Sequence, residues 1–366
     1  MDAPRPDLKF MSNWPATDRN VRCLGGTKVA NWVQDETCRV MAGIDRPFGQ
    51  FKIREFGHLY IVCDMIGLVP IGCEFVSDPD SANGVRPPEW HSFFLGDGFL
   101  GKDLQMRASQ ASTWALNRDK MQAWDVLSRI SIQTLICDAR LREVHQVYYK
   151  ALRARALKNQ LQPQSYQDLW QNELILSLHS SLFDFGTLRD YLCELAGVLA
   201  DGSENTVTTA ASAIKKFKSK GPGSIERWVR DTVTIEGSSS IRQTSLYRDL
   251  IVHNAPIGAR GTLGHWKLGE VEYSGHRIPK LEFQIPGDPS EILKLRNDCR
   301  IPSSKDELLK EKAGEWNQPG AKDALVILHN SYRTLFKFGL DLFDKLGIEG
   351  EMVVLTDDDV VFSEST

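Results

Sequence analysis

The stretch that decides the fold is QDLWQNELILSLHSSLFDFGTLRDYLCELAGVLADGS, residues 167–203. Trp170, Leu174, Leu178 and Leu182, followed by Leu188, Leu192, Leu195 and Leu199, recur at the steps that place apolar side chains on one face of an α-helix. The run is too long for a strand, and it predicts a helix from about Gln167 that Asp201-Gly202-Ser203 closes. Gly186 stands in the middle, where its poor helix propensity predicts a kink or a split.

Upstream, Ala123, Val126, Leu127, Ile130, Ile132, Leu135 and Leu141 keep the same period until the polar break Lys158–Gln167, and helical character begins at about Asp103. Downstream, shorter helices are predicted at about 206–218, 224–233 and 241–254, separated by Gly221-Pro222-Gly223 and Glu236-Gly237-Ser238. Residues 264–286 switch to period two around Ser274-Gly275, which predicts a β-hairpin. A last helix at about 321–346 carries Leu325, Leu328, Tyr332, Leu335, Phe336, Phe343 and Leu346 on a stripe broad enough to pack on two sides. The tail from Glu351 is acidic, with an edge strand expected at Met352–Leu355.

Residues 1 to about 100 read as strands and loops, because Pro and Gly recur before any helical period is established. The apolar run Leu59–Cys73 is expected to be a buried strand pair, and Ser77–Glu89 is a loop built from turn residues. The fold class is therefore α+β: a mainly α-helical bundle with an inserted β-hairpin, preceded by a mixed, strand-containing N-terminal region. The expected division is 1–120 for that region, 121–350 for the bundle with the hairpin at 264–286, and 351–366 for the acidic tail.

Composition narrows the classes of function. The 366 residues carry 44 Lys+Arg against 48 Asp+Glu, a net charge of -4, and 42% hydrophobic residues, an ordinary globular balance that argues against disorder and against promiscuous nucleic-acid binding. Leu59–Cys73 is interrupted by Asp64 and Pro70 and falls short of the roughly 20 apolar residues a membrane helix needs. Met1 to Pro6 shows neither the basic nor the apolar part of a secretory signal, so the expectation is a cytoplasmic protein with no membrane partner. The seven cysteines are scattered without a C-x-x-C, and are expected to be reduced core thiols rather than zinc ligands. No metal site and no cofactor are expected, since the phosphate-loop, dinucleotide, zincin and hydrolase signatures do not occur. Gly221-Pro222-Gly223-Ser224 reads as a loop with an N-cap.

One segment stands out. Residues 240–256, SIRQTSLYRDLIVHNAP, begin with a capping box made by Ser240 and Gln243 and stop at Pro256, so Arg248 and His253 occupy the final turns of a short helix. A histidine at a helix C-terminus feels the negative end of the dipole, which favours imidazolium. Arg248 and His253 are about 140° apart around the helix, while Asp249 and His253 share a face. Two arrangements remain open: Arg248 reaches around to one ligand, or another helix or subunit completes the site. Asp249 with His253 is also an ordinary helical ion pair, which is the alternative reading of the whole segment.

The segment resembles the R-x(4–6)-H signature of the HEPN superfamily of helical bundles. The likeness covers Arg248, the polar Asp249, the apolar triplet Leu250-Ile251-Val252, His253 and the trailing Asn254. The same spacing at Arg86/His91 is broken by Pro87-Pro88 and at Arg260/His265 by glycines, and Arg140/His145 has Leu141 where the family favours a polar residue. The resemblance spans about residues 165–345. It implies a metal-independent ribonuclease of the kind found in toxin–antitoxin and antiviral defence systems, acting as a homodimer, with RNA as substrate and an antitoxin or regulatory protein as a further partner. It also implies roles: Arg248 binds the scissile phosphate, His253 is general acid and base, and Asp249 or Asn254 orients the imidazole or the phosphate. A non-catalytic nucleotide- or protein-binding bundle is the alternative. Lys215, Lys216, Lys218 and Lys220 are a weaker candidate for holding RNA backbone, with a solvated helix end as the rival reading.

Overall fold

The structure is a computed structural model. It describes residues 18–31, 37–41, 49–52, 56–76, 85–200, 207–234, 240–253, 257, 264–273, 275–290, 303–315 and 320–348; the side chains of residues 31, 37, 51–59, 240, 253, 273 and 311–315 lie outside that description. Within it the chain is α+β, with two antiparallel sheets and long helices.

The N-terminal region forms a six-stranded sheet from β1 (Asp18–Cys23), β2 (Lys28–Asn31), β3 (Thr37–Met41), β4 (Gly49–Lys52), β5 (Pro70–Val76) and β6 (Glu89–Ser92), in the order β4-β3-β2-β1-β5-β6. Strand alternation sends Val21, Cys23, Val29, Cys38, Val40, Cys73 and Phe75 to one face. Helix α1 (Phe56–Met65) covers that face with Tyr60, Cys63 and Ile66. The expected strand pair at Leu59–Cys73 is thus a helix followed by β5. A continuous apolar run has no period to separate a buried helix from a buried strand, and here Tyr60 and Cys63 are buried one helical turn apart while Asp64 and Met65 are exposed.

The opposite face of this sheet meets the bundle through polar groups. Glu74 accepts from Arg22 Nε and Nη2 at 3.0 and 2.6 Å and from Arg142 Nε at 2.9 Å. Asp138 accepts from the Ser92 amide at 3.0 Å, and the Trp90 indole donates to the Asp138 carbonyl at 2.9 Å. The β1–β2 turn is wedged still deeper. His145 Nε2 bonds the carbonyls of Cys23 and Thr27 at 3.0 and 3.2 Å, and Leu281 N donates to the Gly25 carbonyl at 3.0 Å.

The bundle comprises α2 (Leu100–Leu116), α3 (Met121–Leu157), α4 (Trp170–Ala200), α5 (Ala210–Lys216), α6 (Ile225–Thr234), α7 (Ser240–His253), α8 (Lys305–Glu315) and α9 (Ala324–Leu346). Helix α4 is continuous through Gly186, so the expected split does not occur. Leu104, Ala108, Ala111 and Ala115 of α2 share one core with α3, α4 and α9, so apolar packing runs across residue 120. Their small side chains let α2 and α3 approach closely.

The hairpin is β8 (His265–Tyr273) and β9 (His276–Ile285), and it carries two further strands, β7 (Gln164–Tyr166) and β10 (Lys322–Asp323), in the order β10-β9-β8-β7. Trp266 is fully buried edge-on to Tyr148 and Phe283 at 5.1 and 5.0 Å between centroids. Six cysteines, Cys23, Cys38, Cys63, Cys73, Cys137 and Cys193, are buried free thiols; Cys299 and the tail 351–366 lie outside the described residues. Among the described residues no helix is long and apolar enough to cross a membrane.

Candidate functional site

Helix α7 is set by what it buries. Ile241, Thr244, Ser245, Tyr247 and Leu250 face inward against α4, α6 and α9. Thr244 and Ser331 share a hydroxyl–hydroxyl hydrogen bond, Tyr247 donates its hydroxyl to the Pro286 carbonyl, and Gln243 Nε2 donates to the Gly287 carbonyl at 2.7 Å. The capping box expected of Ser240 and Gln243 involves a side chain outside the described residues, and the bond to Gly287 uses the Gln243 amide nitrogen. Arg189 of α4 donates to Ser245 Oγ at 2.5 Å while its other edge is held by Asp190 at 2.8 Å. These bonds fix the rotation of α7 about its axis. Arg248 and Asp249 are left on its outer side, with side chains 33% and 40% exposed.

Arg248 runs along α4. A Cβ built on Gly186 would lie 3.6 Å from Arg248 Nε and 3.9 Å from its Cγ and Cδ. Nη1 pairs with the neighbouring Asp249 carboxylate at 3.3 Å, and Nε is buried without an acceptor. The guanidinium is therefore positioned by apolar contact and held by one long bond, which leaves donors for an incoming anion. Arg140, the other helical arginine with a histidine five residues on, is committed: it bonds Asp184 and Glu143, both at 2.7 Å.

His253 is the last residue of α7 and Asn254 follows it; the His253 side chain and all of Asn254 lie outside the described residues. Residues 245, 248 and 257 meet α4 at 189, 186 and 179 in turn, so α7 and α4 run antiparallel. The end of α7 is consequently brought towards His179, whose Nε2 accepts from the Ile257 amide at 3.1 Å. Burial pushes the His179 pKa down, so at neutral pH this acceptor is the free imidazole.

The remaining candidates separate. Lys215 and Lys216 end α5, Lys218 lies in the 3-10 turn Phe217–Ser219, and Lys220 pairs with Glu226 at 3.3 Å. Phe217 is the buried anchor of this segment, which packs on α6. Ser224 accepts from the Arg227 amide at 3.1 Å, the N-cap of α6. Towards the end of α3, Lys150 pairs with Glu173 at 3.5 Å and Arg155 stacks on Tyr166 at 3.5 Å. His329 is stacked on Phe94 and bonded to the Phe93 carbonyl at 3.0 Å; burial takes its pKa to about 4. Burial, followed by the Arg22 charge, takes His145 to about 3. Both are neutral core histidines.

Gly186, Arg189 and His179 are the α4 contributions to this site. Gly186 carries a signal in the sequence, as a glycine where the helical period gains nothing from one, and His179 another, as a histidine on the apolar stripe beside Leu178 and Leu182; Arg189 carries none. Among the described residues no group of His, Cys, Asp and Glu is placed to hold a metal ion. Comparisons with protein-family models, with curated proteins and with solved structures return no match.

Proposed function

We propose that this protein is a HEPN-type ribonuclease that cleaves RNA without a metal, serving as a toxin or antiviral defence effector. The observation that carries the reading is the state of Arg248: partly exposed, pressed onto Gly186, and bonded only to Asp249 among the described residues. An arginine held between two carboxylates has its charge compensated and its orientation taken; Arg248 has one long bond and most of its five donors unused among the described residues.

In the reaction, the ribose 2′-oxygen attacks phosphorus while the bond from phosphorus to the 5′-oxygen breaks. His253 takes the proton from the 2′-hydroxyl or delivers one to the leaving oxygen. Arg248 compensates the charge that gathers on the phosphoryl oxygens. Asp249 or Asn254 orients these groups. The products carry 2′,3′-cyclic phosphate and 5′-hydroxyl ends.

A homodimer fits the same face. Phe183 and Leu176 of α4 are seven residues apart, on one side of that helix, and are 46% and 67% exposed; Val252 of α7 is 39% exposed. A second copy covering this apolar surface brings two α7 helices to one RNA, and leaves an antitoxin or regulatory protein a surface to block.

The test is cleavage of single-stranded RNA by purified protein, with chelator present, and with Arg248→Ala and His253→Ala beside it. Cyclic phosphate ends that either substitution abolishes support the reading. An inert native protein, together with a cellular phenotype indifferent to His253→Ala, would overturn it in favour of a binding scaffold.

A further inference from the structure

Helix α9 turns Asn330, Arg333 and Lys337 away from the core along one face. With Trp228 of α6 and the core residue Phe338 at its floor, they line a groove of about 530 Å³. That volume lies in the range of ligand sites, roughly 300–1,000 Å³.

Three kinds of group converge there. The first is aromatic: the Trp228 indole leans on Phe338 with centroids 5.3 Å apart at 39°, is capped by Lys345 Nζ at 5.0 Å, and makes no side-chain hydrogen bond among the described residues. The second is cationic. Arg333 Nε and Lys337 Nζ share one counter-ion, Asp97, at 2.5 and 2.7 Å, and with Lys345 on Trp228 and Asp341 in the lining the groove carries three positive charges against two negative. Arg333 Nη2 bonds the Leu95 carbonyl at 3.3 Å, which leaves Nη1 and two ammonium protons of Lys337 unused. The third is the Asn330 side chain, exposed and unbonded among the described residues, an amide that both donates and accepts. Asp341 also lines the groove, one turn along α9 from Lys337 and two from Arg333, and biases an anion towards the Arg333 end.

We propose that this groove binds a nucleoside phosphate, with the base against Trp228 and its edge read by Asn330, and the phosphate between Arg333 and Lys337. Two hydrogen-bonding cations with a spare charge suit a phosphate, and a ring edge beside a free amide suits a base. The site does not involve Arg248 or His253 and stands whether or not the protein cleaves RNA.

Calorimetric titration of the full chain with AMP, adenosine, inorganic phosphate and a single-stranded oligoadenylate tests it. The expected result is saturable AMP binding that Lys337→Glu weakens by about tenfold or more and Trp228→Phe weakens less, with adenosine and phosphate each far weaker than AMP. Lys337 is 49% exposed, so its replacement leaves the fold intact, and the melting temperature verifies this. Tighter binding of oligoadenylate than AMP, lost in Lys337→Glu, makes an RNA strand the source of the ligand; the reverse order makes it a free nucleotide. Arg248→Ala binds AMP as the native chain does, which separates this site from the proposed catalytic one. The proposal is overturned if neither AMP nor oligoadenylate binds, if Lys337→Glu binds as well as the native protein, or if phosphate alone competes as effectively as AMP.

Discussion

The side chain of Arg248 lies along the backbone of Gly186, its Nε 3.6 Å from where a Cβ at residue 186 would stand. A glycine in mid-helix costs about 1 kcal/mol relative to alanine. The space above it, on the face where α4 meets α7, would just hold a methyl group against the arginine and nothing larger.

Gly186→Ala is accommodated, because 3.6 Å is ordinary contact, and it raises stability by up to about 1 kcal/mol in urea denaturation. Gly186→Leu instead displaces the guanidinium. It is expected to lower RNA cleavage by about tenfold or more while the protein stays folded, since small displacements of a positioning group are costly. Equal cleavage by the leucine variant and the native chain would remove Gly186 from the site.

Gly26 is required for a different reason. Its φ is +80°, and a Cβ there would stand 2.9 Å from the carbonyl carbon and oxygen of Tyr148 in α3. Gly26→Ala therefore strains the β1–β2 turn and pushes the N-terminal sheet from the bundle, at an expected cost above about 1 kcal/mol in urea denaturation.

Stability depends on pH in two opposite senses. Burial raises Asp138 to about 7, although the Ser92 amide works against it. With an unfolded value of about 3.9, the folded protein holds a proton the unfolded chain releases, so stability present at low pH is lost as pH rises through about 7. Asp138→Asn keeps an acceptor for the Ser92 amide and removes the charge. Its melting temperature relative to the native chain is expected to climb between about pH 4 and about pH 7 and to level off above that. A constant difference over that range would mean Asp138 does not titrate there.

His145 works in the other direction. Burial and the Arg22 charge lower it to about 3, against about 6.5 unfolded, so its contribution is intact above pH 6.5 and is lost as pH falls towards 3. His145→Gln retains a donor for the Cys23 and Thr27 carbonyls, and its melting temperature is expected to fall less steeply on acidification than that of the native protein.

Phe183→Glu places a charge on the exposed stripe of α4 without touching the core. Light scattering is expected to give twice the chain mass for the native protein and the chain mass for the variant. A native monomer would sink the shared two-chain site.

How much of this was legible followed the range of each interaction. Helices α3 and α4 were readable because 37 and 31 residues repeat one period many times, and β8 and β9 because alternation breaks at a turn. Helix α1 reads as strand from its sequence, since an apolar run broken by the single acidic residue Asp64 shows no helical period, and β7 and β10 leave no trace because three and two residues carry no period. The segment 240–253 could be recognised as a helix bearing Arg248. Its neighbours could not: Gly186 is 62 residues away, Arg189 gives no local signal, and the Gly287 carbonyl that Gln243 Nε2 bonds is 44 residues on.

The sequence by itself determined the helices with long periods, the hairpin, the mixed character of the N-terminal region and the place of Arg248 near a helix end, because hydrophobic period, glycine and proline act over a few residues. Only the tertiary structure decided that β1 to β6 form one sheet joined to α3 through Glu74 and Asp138. It alone brought Arg248 over Gly186 and set Trp228 beside Arg333 and Lys337. Those are pairings between residues far apart in the chain, and they are selected by the packing of whole elements, which no local pattern encodes.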